Sequence, residues 1–448
     1  MIRSQNMQNK QVVSVSHPKA AALGLQHLLA MYSGSVLVPL LIGGALHFSA
    51  SQMTYLVSID IFMCGLATLL QIWTNRFVGI GLPVVLGCAV QAVEPLKMIG
   101  ERFTIGTMYG AIIAAGAFVF LIAGAFSKIK RLFPPLVTGT LITVIGLTLI
   151  PVAFTNLGGG DASAKNFGSP DSLAVGFLTV LVILAVNVWG VGFIRQIAVL
   201  IGLLVGTIVA AFMGMVSLQP VAEASWLHFP QPFYFGAPHF EWSSILTMIL
   251  VSLVSMVEST GVFFALGDIT NRKIESSDLK KGYRAEALAV MLGGIFNTFP
   301  YTTFSQNVGL VQLSGIKTRK PIFYSAGFLI LLGLLPKVGA VATIIPTPVL
   351  GGAMLVMFGM VAIQGIRMLR HVDFHNDKNV LIAALSIGLG LGVSVEPTIF
   401  QSLPTTLQLL LGNGIVMASL SAVLLNLILR PRQPEAELEE DDGLNEEE

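Results

Sequence analysis

The run Phe299-Pro300-Tyr301-Thr302-Thr303-Phe304-Ser305-Gln306-Asn307-Val308-Gly309 does not read as one continuous helix. Proline removes a backbone donor, and the β-branched and aromatic residues that follow favour extended backbone. The run is therefore expected to be a short extended segment leading into a half-helix that starts at Gln306-Asn307. A second run of this kind, Gly79-Ile80-Gly81-Leu82-Pro83-Val84-Val85-Leu86-Gly87, lies in the other half of the chain. Both are set in apolar sequence, where unpaired backbone is tolerated only if it is buried in protein or lines a cavity. Two proline-kinked helices are the simpler alternative.

The surrounding composition says what solvent these runs occupy. Of 448 residues, 54% are hydrophobic and 11% charged, against roughly 25% charged in a soluble domain, and the mean hydropathy is +0.80. A soluble globular protein is excluded. At about 20 residues per crossing of the hydrocarbon core, the apolar stretches give fourteen spans, at 20–45, 54–73, 79–98, 104–126, 133–152, 172–191, 194–216, 243–267, 284–298, 302–315, 319–336, 339–362, 379–397 and 405–429. The expected fold class is thus an all-α polytopic membrane protein, with short extended segments in spans three and ten. On alternate sides of these spans the Lys and Arg residues divide 21 to four, which places both termini in the cytoplasm.

The chain is expected to divide into an N-terminal cytoplasmic segment (1–19), spans one to seven (20–216), an external connection (217–242), spans eight to fourteen (243–430) and a cytoplasmic tail (431–448). Nine of the 24 acidic residues fall between Glu435 and Glu448, so the tail is expected to be solvated and disordered. The N-terminus is polar and basic and does not read as a cleaved signal peptide. The external connection, about Met215 to Trp242, has no Lys or Arg and several aromatic and Pro residues, as a segment partly in the membrane interface would. Cys64 and Cys88 lie in apolar runs and suggest neither a disulfide framework nor a metal site.

The two halves echo one another. Phe133-Pro134-Pro135-Leu136-Val137-Thr138-Gly139 opens the fifth span, and Ile345-Pro346-Thr347-Pro348-Val349-Leu350-Gly351 enters the twelfth. Seven spans per half means that the repeats are inverted across the membrane. Inverted repeats of this sort are characteristic of transporters, whose sites lie at paired interrupted spans near the midplane.

Ionisable groups inside spans are costly and mark functional places. Glu258, midway along the eighth span in Val257-Glu258-Ser259-Thr260-Gly261, can accept hydrogen bonds from ring N–H groups and can carry a proton; a structural carboxylate satisfied by hydroxyls is the alternative. Glu286 opens the ninth span, where a helix N-terminus favours an acid in any case. Gln306 and Asn307 offer two carboxamides, each donor and acceptor, able to read the edge of a planar heterocycle or to cap the half-helix. His27 can shuttle a proton or brace a neighbouring helix, and bracing is the preferred reading. Asp60 and Gln91 are either ligand-facing or structural.

Taken together, these residues resemble a known family. Gln306-Asn307-Val308-Gly309-Leu310-Val311-Gln312-Leu313-Ser314-Gly315 is similar to the signature Q-N-x-G-x-x-x-x-T-[RKG] of the nucleobase–ascorbate transporters (nucleobase cation symporter-2), with Ser314 in the Thr position. Gln26-His27, Glu258 and Glu286 also match, so the resemblance covers almost the whole chain. The bacterial xanthine and uric acid permease branch is resembled most, through Gly79 to Cys88, Gly282-Tyr283-Arg284-Ala285-Glu286 and Pro300 to Gly309. The resemblance implies fourteen helices in two inverted repeats, a core domain (spans 1–4 and 8–11) and a gate domain (spans 5–7 and 12–14). It implies that Glu258 and Gln306 hydrogen-bond the base, with Ser305, Ala89 and Val90 beside them. Glu286, Asn307, His27 and Gln91 would support the site or proton coupling. Val262 stands where some xanthine-specific members carry a second acid, Ala89 where many relatives have a small polar residue, and Val90 where an aromatic often stacks on the base. These departures point away from xanthine-only selectivity. The loop Ala224-Ser225-Trp226-Leu227-His228 resembles bacterial urate permeases.

The expected function is a proton-coupled symporter that imports uric acid or xanthine by alternating access, with no cofactor besides the proton. An anion exchanger or channel on the same fold is the alternative, and a mid-span acid argues against it. The sequence carries neither a Walker phosphate loop to drive transport by ATP nor the metal or nucleophile motifs of a membrane enzyme. Expected partners are a small purine base, membrane lipid and a second copy of the chain in a homodimer; nucleic acid is not expected.

Overall fold

The structure is a computed structural model that describes residues 15–128, 134–370 and 372–429. The N-terminal stretch to residue 14, Lys130, Arg131 and Phe133, and the acidic tail lie outside the described residues.

The first half runs α1 (His17–Ala45), α2 (Ala50–Ile72), β1 (Leu86–Cys88), α3 (Val93–Arg102), α4 (Ile105–Phe126), α5 (Pro135–Leu157), α6 (Pro170–Trp189), the short α7 (Phe193–Gln196) and α8 (Ala198–Phe212). A one-turn helix, α9 (Gln219–Glu223), interrupts the connection to the second half. There follow α10 (Trp242–Thr270), α11 (Ser276–Ile295), β2 (Tyr301–Thr303), α12 (Gln306–Ser314), α13 (Lys320–Gly333), α14 (Pro336–Thr343), α15 (Thr347–Leu369), α16 (Asp377–Val395), α17 (Thr405–Leu411) and α18 (Gly414–Leu429). Among the described residues eight helices are long and apolar enough to cross a membrane, or nine if α13 and α14, bent by 83°, form one span. The chain is a multi-pass membrane protein.

Local chemistry explains where the helix ends depart from the expected spans. The helix of the expected ninth span, α11, begins at Ser276, not 284, because Glu275 and Asp278 form a reciprocal capping box there; the Lys and Arg residues of its first turns hide it from a hydropathy reading. Glu286 is accordingly inside the helix and not at its start. The stretch 339–362 is not one helix, since Pro346 and Pro348 fit only at a helix N-terminus; α14 ends at Thr343, and α15 starts at Thr347. The last span is divided at Asn413, whose Oδ1 accepts the N–H groups of Ile415 and Val416 and caps α18.

Packing follows small residues. In the tightest pairing, α5 against α15, a methyl group on Gly146 would collide with the backbone of Phe358 and Ala362, so only glycine lets the helices approach this closely. α15 also packs on α6, α6 on α8, and α16 on α18 and α5. Elsewhere α4 packs on α10 and α11, α2 on α13 and α14, and α1 on α13 and α2.

The two interrupted runs meet inside this bundle. β1 and β2 pair antiparallel with Leu86 opposite Thr303, Gly87 opposite Thr302 and Cys88 opposite Tyr301. Ala89 N–H to Pro300 O (2.8 Å) and Phe304 N–H to Val85 O (2.9 Å) extend the pairing at both ends. A two-stranded pair leaves outer donors unmet, which is costly in an apolar interior. Neighbouring hydroxyls supply them: Thr68 Oγ1 accepts Leu86 N–H at 3.0 Å, Ser35 Oγ accepts Cys88 N–H at 3.3 Å, and Ser259 Oγ accepts Thr303 N–H at 3.4 Å. Upstream, Gly79 and Gly81 take left-handed φ values of 87° and 71°, a conformation that glycine adopts without strain.

Candidate binding site

Each strand hands the chain to a half-helix, and Gln91, Ser305 and Gln306 leave from those two junctions, while Glu258 comes from α10. After β1 a 3-10 turn, Val90–Ala92, precedes α3. Gln91 in that turn is buried, and its Nε2 donates both to Ser255 Oγ at 2.8 Å and to Glu258 Oε2 at 3.0 Å. Ser255 and Glu258 are three residues apart on α10 and therefore share one side of the helix. Glu258 is partly buried. After β2, Ser305 and Gln306 are exposed at the start of α12. Ser305, the N-cap of α12, makes no side-chain cap bond.

Glu258, Gln91, Gln306 and Ser305 line a single cleft with a cavity volume of about 60 Å³. Cys88 and the β2 residues Thr302 and Thr303 complete its polar side, and Val90 lines it as well. The opposite wall is apolar: Ile142 and Ile145 from α5, and Met357, Phe358 and Val361 from α15. A carboxylate and two carboxamides facing an apolar wall suit a flat, polar ring, whose faces need apolar contact and whose edge needs donors and acceptors. The apolar wall went unmarked in the sequence reading, since Ile, Met and Val on helices are indistinguishable there from core.

The remaining candidates are placed around the cleft, not in it. Ala89 is buried and spends its N–H on Pro300. Asn307 points away from the cleft; its Nδ2 lies 3.0 Å from His27 Nδ1 and donates to His27 O at 3.1 Å, joining α12 to α1. Glu286 is buried beside a second, water-sized cavity lined by Ser252, Ser255 and Tyr301. Asp60 is buried behind the strands. Among the described residues no group of three or more His, Cys, Asp or Glu could hold a metal ion. A larger cavity of about 290 Å³, under the connection that follows α8, is lined by Tyr55, His228 and Tyr234 and by none of the candidate residues. The converging acid and carboxamides make the smaller cleft the functional candidate.

A family model described as Permease family (Xan_ur_permease) matches residues 18–399. The chain belongs to that family, the nucleobase–ascorbate transporters. It is a transporter and not an enzyme. The permease is 55% identical over 410 residues to the xanthine permease of Bacillus subtilis (strain 168), covering 92% of this chain and 93% of that one. It is also 55% identical over 412 residues to the uric acid permease PucK of the same organism, covering 92% and 96%. Among solved structures, the transmembrane domain of the cyanobacterium bicarbonate transporter BicA matches with a TM-score of 0.59 at 14% identity, covering 93% of the permease and all (100%) of that chain. At that identity the likeness is one of fold.

Proposed function

We propose that this permease is a proton-coupled symporter that imports an oxidised purine, uric acid or xanthine, across the cell membrane by alternating access. The observation that carries the reading is the single cleft in which Glu258, bridged to Gln91, and Gln306 face an apolar wall. Oxidised purines present ring N–H groups and carbonyls along one edge, which a carboxylate and a carboxamide complement. The names of the relatives support the same substrate class. Glu258 both accepts the ring N–H groups and carries the coupled proton; no other cofactor is required.

The architecture in this reading is fourteen spans in two inverted repeats, with both termini cytoplasmic. Its support is that the packing repeats on exchanging the halves: α4 on α11 corresponds to α13 on α2, and α6 on α8 to α16 on α18. Spans 1–4 and 8–11 form a core that carries the polar side of the cleft, and spans 5–7 and 12–14 form a gate that supplies the apolar wall. The gate meets its counterpart in a homodimer, and Trp226, Phe229, Phe240 and Trp242, all exposed on the external connection, lie against lipid headgroups.

Uptake of labelled urate into transporter-null cells, with unlabelled xanthine, uracil and hypoxanthine as competitors, tests the substrate. Addition of a protonophore is expected to abolish accumulation, and replacement of chloride to leave it unchanged. The reverse result would favour anion exchange. Glu258→Gln retains shape and hydrogen bonding but cannot ionise, so it is expected to lose pH-dependent accumulation while retaining weak binding or exchange. Normal accumulation by that variant would remove Glu258 from the coupling step.

A further inference from the structure

A carboxylate outside the cleft holds both of the strands that lead to Gln91, Ser305 and Gln306. Asp60, on α2, is fully buried. Its Oδ1 accepts the Cys88 thiol at 2.7 Å and the Tyr301 hydroxyl at 3.0 Å, and Cys64, one turn along α2, faces Oδ2 at 3.8 Å. The Tyr301 oxygen also lies 2.8 Å from Thr298 Oγ1, and Ser35 Oγ lies 3.1 Å from Cys64 Sγ. Cys88 and Tyr301 are directly opposed across the ladder, and opposed residues project on the same side of a sheet. One oxygen of one residue therefore takes a donor from each strand.

That arrangement matters because the pair has little else to keep it in place. Three residues a side make a ladder that is marginal by itself. Ser35 and Thr68 hold β1, and Ser259 holds β2, whereas Asp60 holds the two together. From Cys88 the chain reaches Gln91 within one turn, and from Tyr301 it reaches Ser305 and Gln306 along the other direction of the ladder.

We propose that Asp60 is a positioning residue for the binding site: by accepting Cys88 and Tyr301 together, it fixes the two strands against α2 and sets where Gln91 and Gln306 stand across the cleft. The proposal rests on the cleft being the purine site. It gives Asp60 no contact with substrate and assigns the two buried thiols no redox role; Cys88 acts as a donor.

The test is a double-mutant cycle on the full-length protein in lipid nanodiscs, reading xanthine and uracil affinities. Tyr301→Phe and Cys88→Ala each delete one donor, and both are made in wild type and in Asp60→Leu, which is of similar shape but has no acceptor. Each single change is expected to weaken xanthine binding on the order of tenfold. The double variant should lose little more than the worse single, because both act through one carboxylate. In Asp60→Leu neither change should have its full effect, and the preference for xanthine over uracil should narrow in all of these variants. Additive losses, equal losses with and without Asp60, or lowered melting temperature with unchanged affinities and preference would overturn the proposal. If Asp60→Leu fails to fold, the cycle between Tyr301→Phe and Cys88→Ala decides by its additivity. Failure of wild type to bind either base would instead overturn the purine reading itself.

Discussion

The amide nitrogen of Gln91 is shared between Ser255 and Glu258, which leaves Gln91 no freedom to turn away from the carboxylate it orients. Gln91→Leu keeps the volume but removes the bridging donor. It is expected to cost purine affinity on the order of 1–3 kcal/mol, roughly five- to 150-fold, measured as an inhibition constant in well-expressed, membrane-inserted variants. Gln306 is held differently, exposed at the start of α12. Glu at that position would present only acceptors when ionised and would add charge across the cleft from Glu258. Gln306→Glu is therefore expected to weaken urate and xanthine binding and shift preference toward uracil, while Gln306→Asn shortens the reach and loses affinity with less change in preference. Unchanged purine affinity in both would show that Gln306 does not read the ligand. At this scale the sequence was informative where chemistry was rare: a mid-span acid and paired carboxamides stand out in apolar text. Its silence about Met357 or Ile145 is equally physical, since an apolar wall and an apolar core use the same side chains.

Helix ends record their own conditions. Glu241 caps α10, accepting N–H from Ser243 at 3.0 Å and from Ser244 at 2.6 Å, together with both serine hydroxyls. Burial alone would push its carboxyl up, but these hydrogen bonds outweigh burial and hold it below its ordinary value. Because the folded value is depressed, the ionised cap stabilises fully above the unfolded carboxylate range and loses its contribution as pH falls through the folded value. Glu241→Ala is expected to lower stability by about 1 kcal/mol at neutral pH, with the difference from wild type shrinking in acid. Melting temperatures of both proteins across that pH range check it; a constant difference would mean that charge plays no part. Element boundaries were legible where a chemical signal was strong, as at the Pro300 run, and lost where two signals conflicted. The capping box at Glu275 was masked by the Lys and Arg residues of α11, and although Pro346 and Pro348 mark the entry of the twelfth span, the apolar residues before them carried the expected span back to 339.

For the molecule as a whole, transport in the proposed reading requires the half-helices to move against the helices that supply the apolar wall. A methyl group built on Gly309 of α12 would lie 3.6 Å from the side chain of Gln196 on α7, so this is a place to fasten the two bodies. Gly309→Cys with Gln196→Cys, joined by a short thiol-specific crosslinker, is expected to stop uptake and to recover on reduction. Full activity with the link in place would exclude relative motion there. The membrane character and the existence of two interrupted runs could be read from composition and from paired prolines, but their pairing, and which helices carry each wall, depend on contacts between distant parts of the chain, and these have no local signature.

The strand pair also constrains how the protein is made. Leu86 finds its partner only in Thr303, so during synthesis the first half enters the bilayer long before the second exists. Throughout that interval the backbone of β1 has no ladder, in a medium that offers it no water. The first half must therefore wait with this segment sheltered by the hydroxyls of Ser35 and Thr68 or by the insertion machinery, and the closing of the ladder is a late event of biogenesis. A first half released alone would present an open strand edge within the membrane, a ready substrate for quality control.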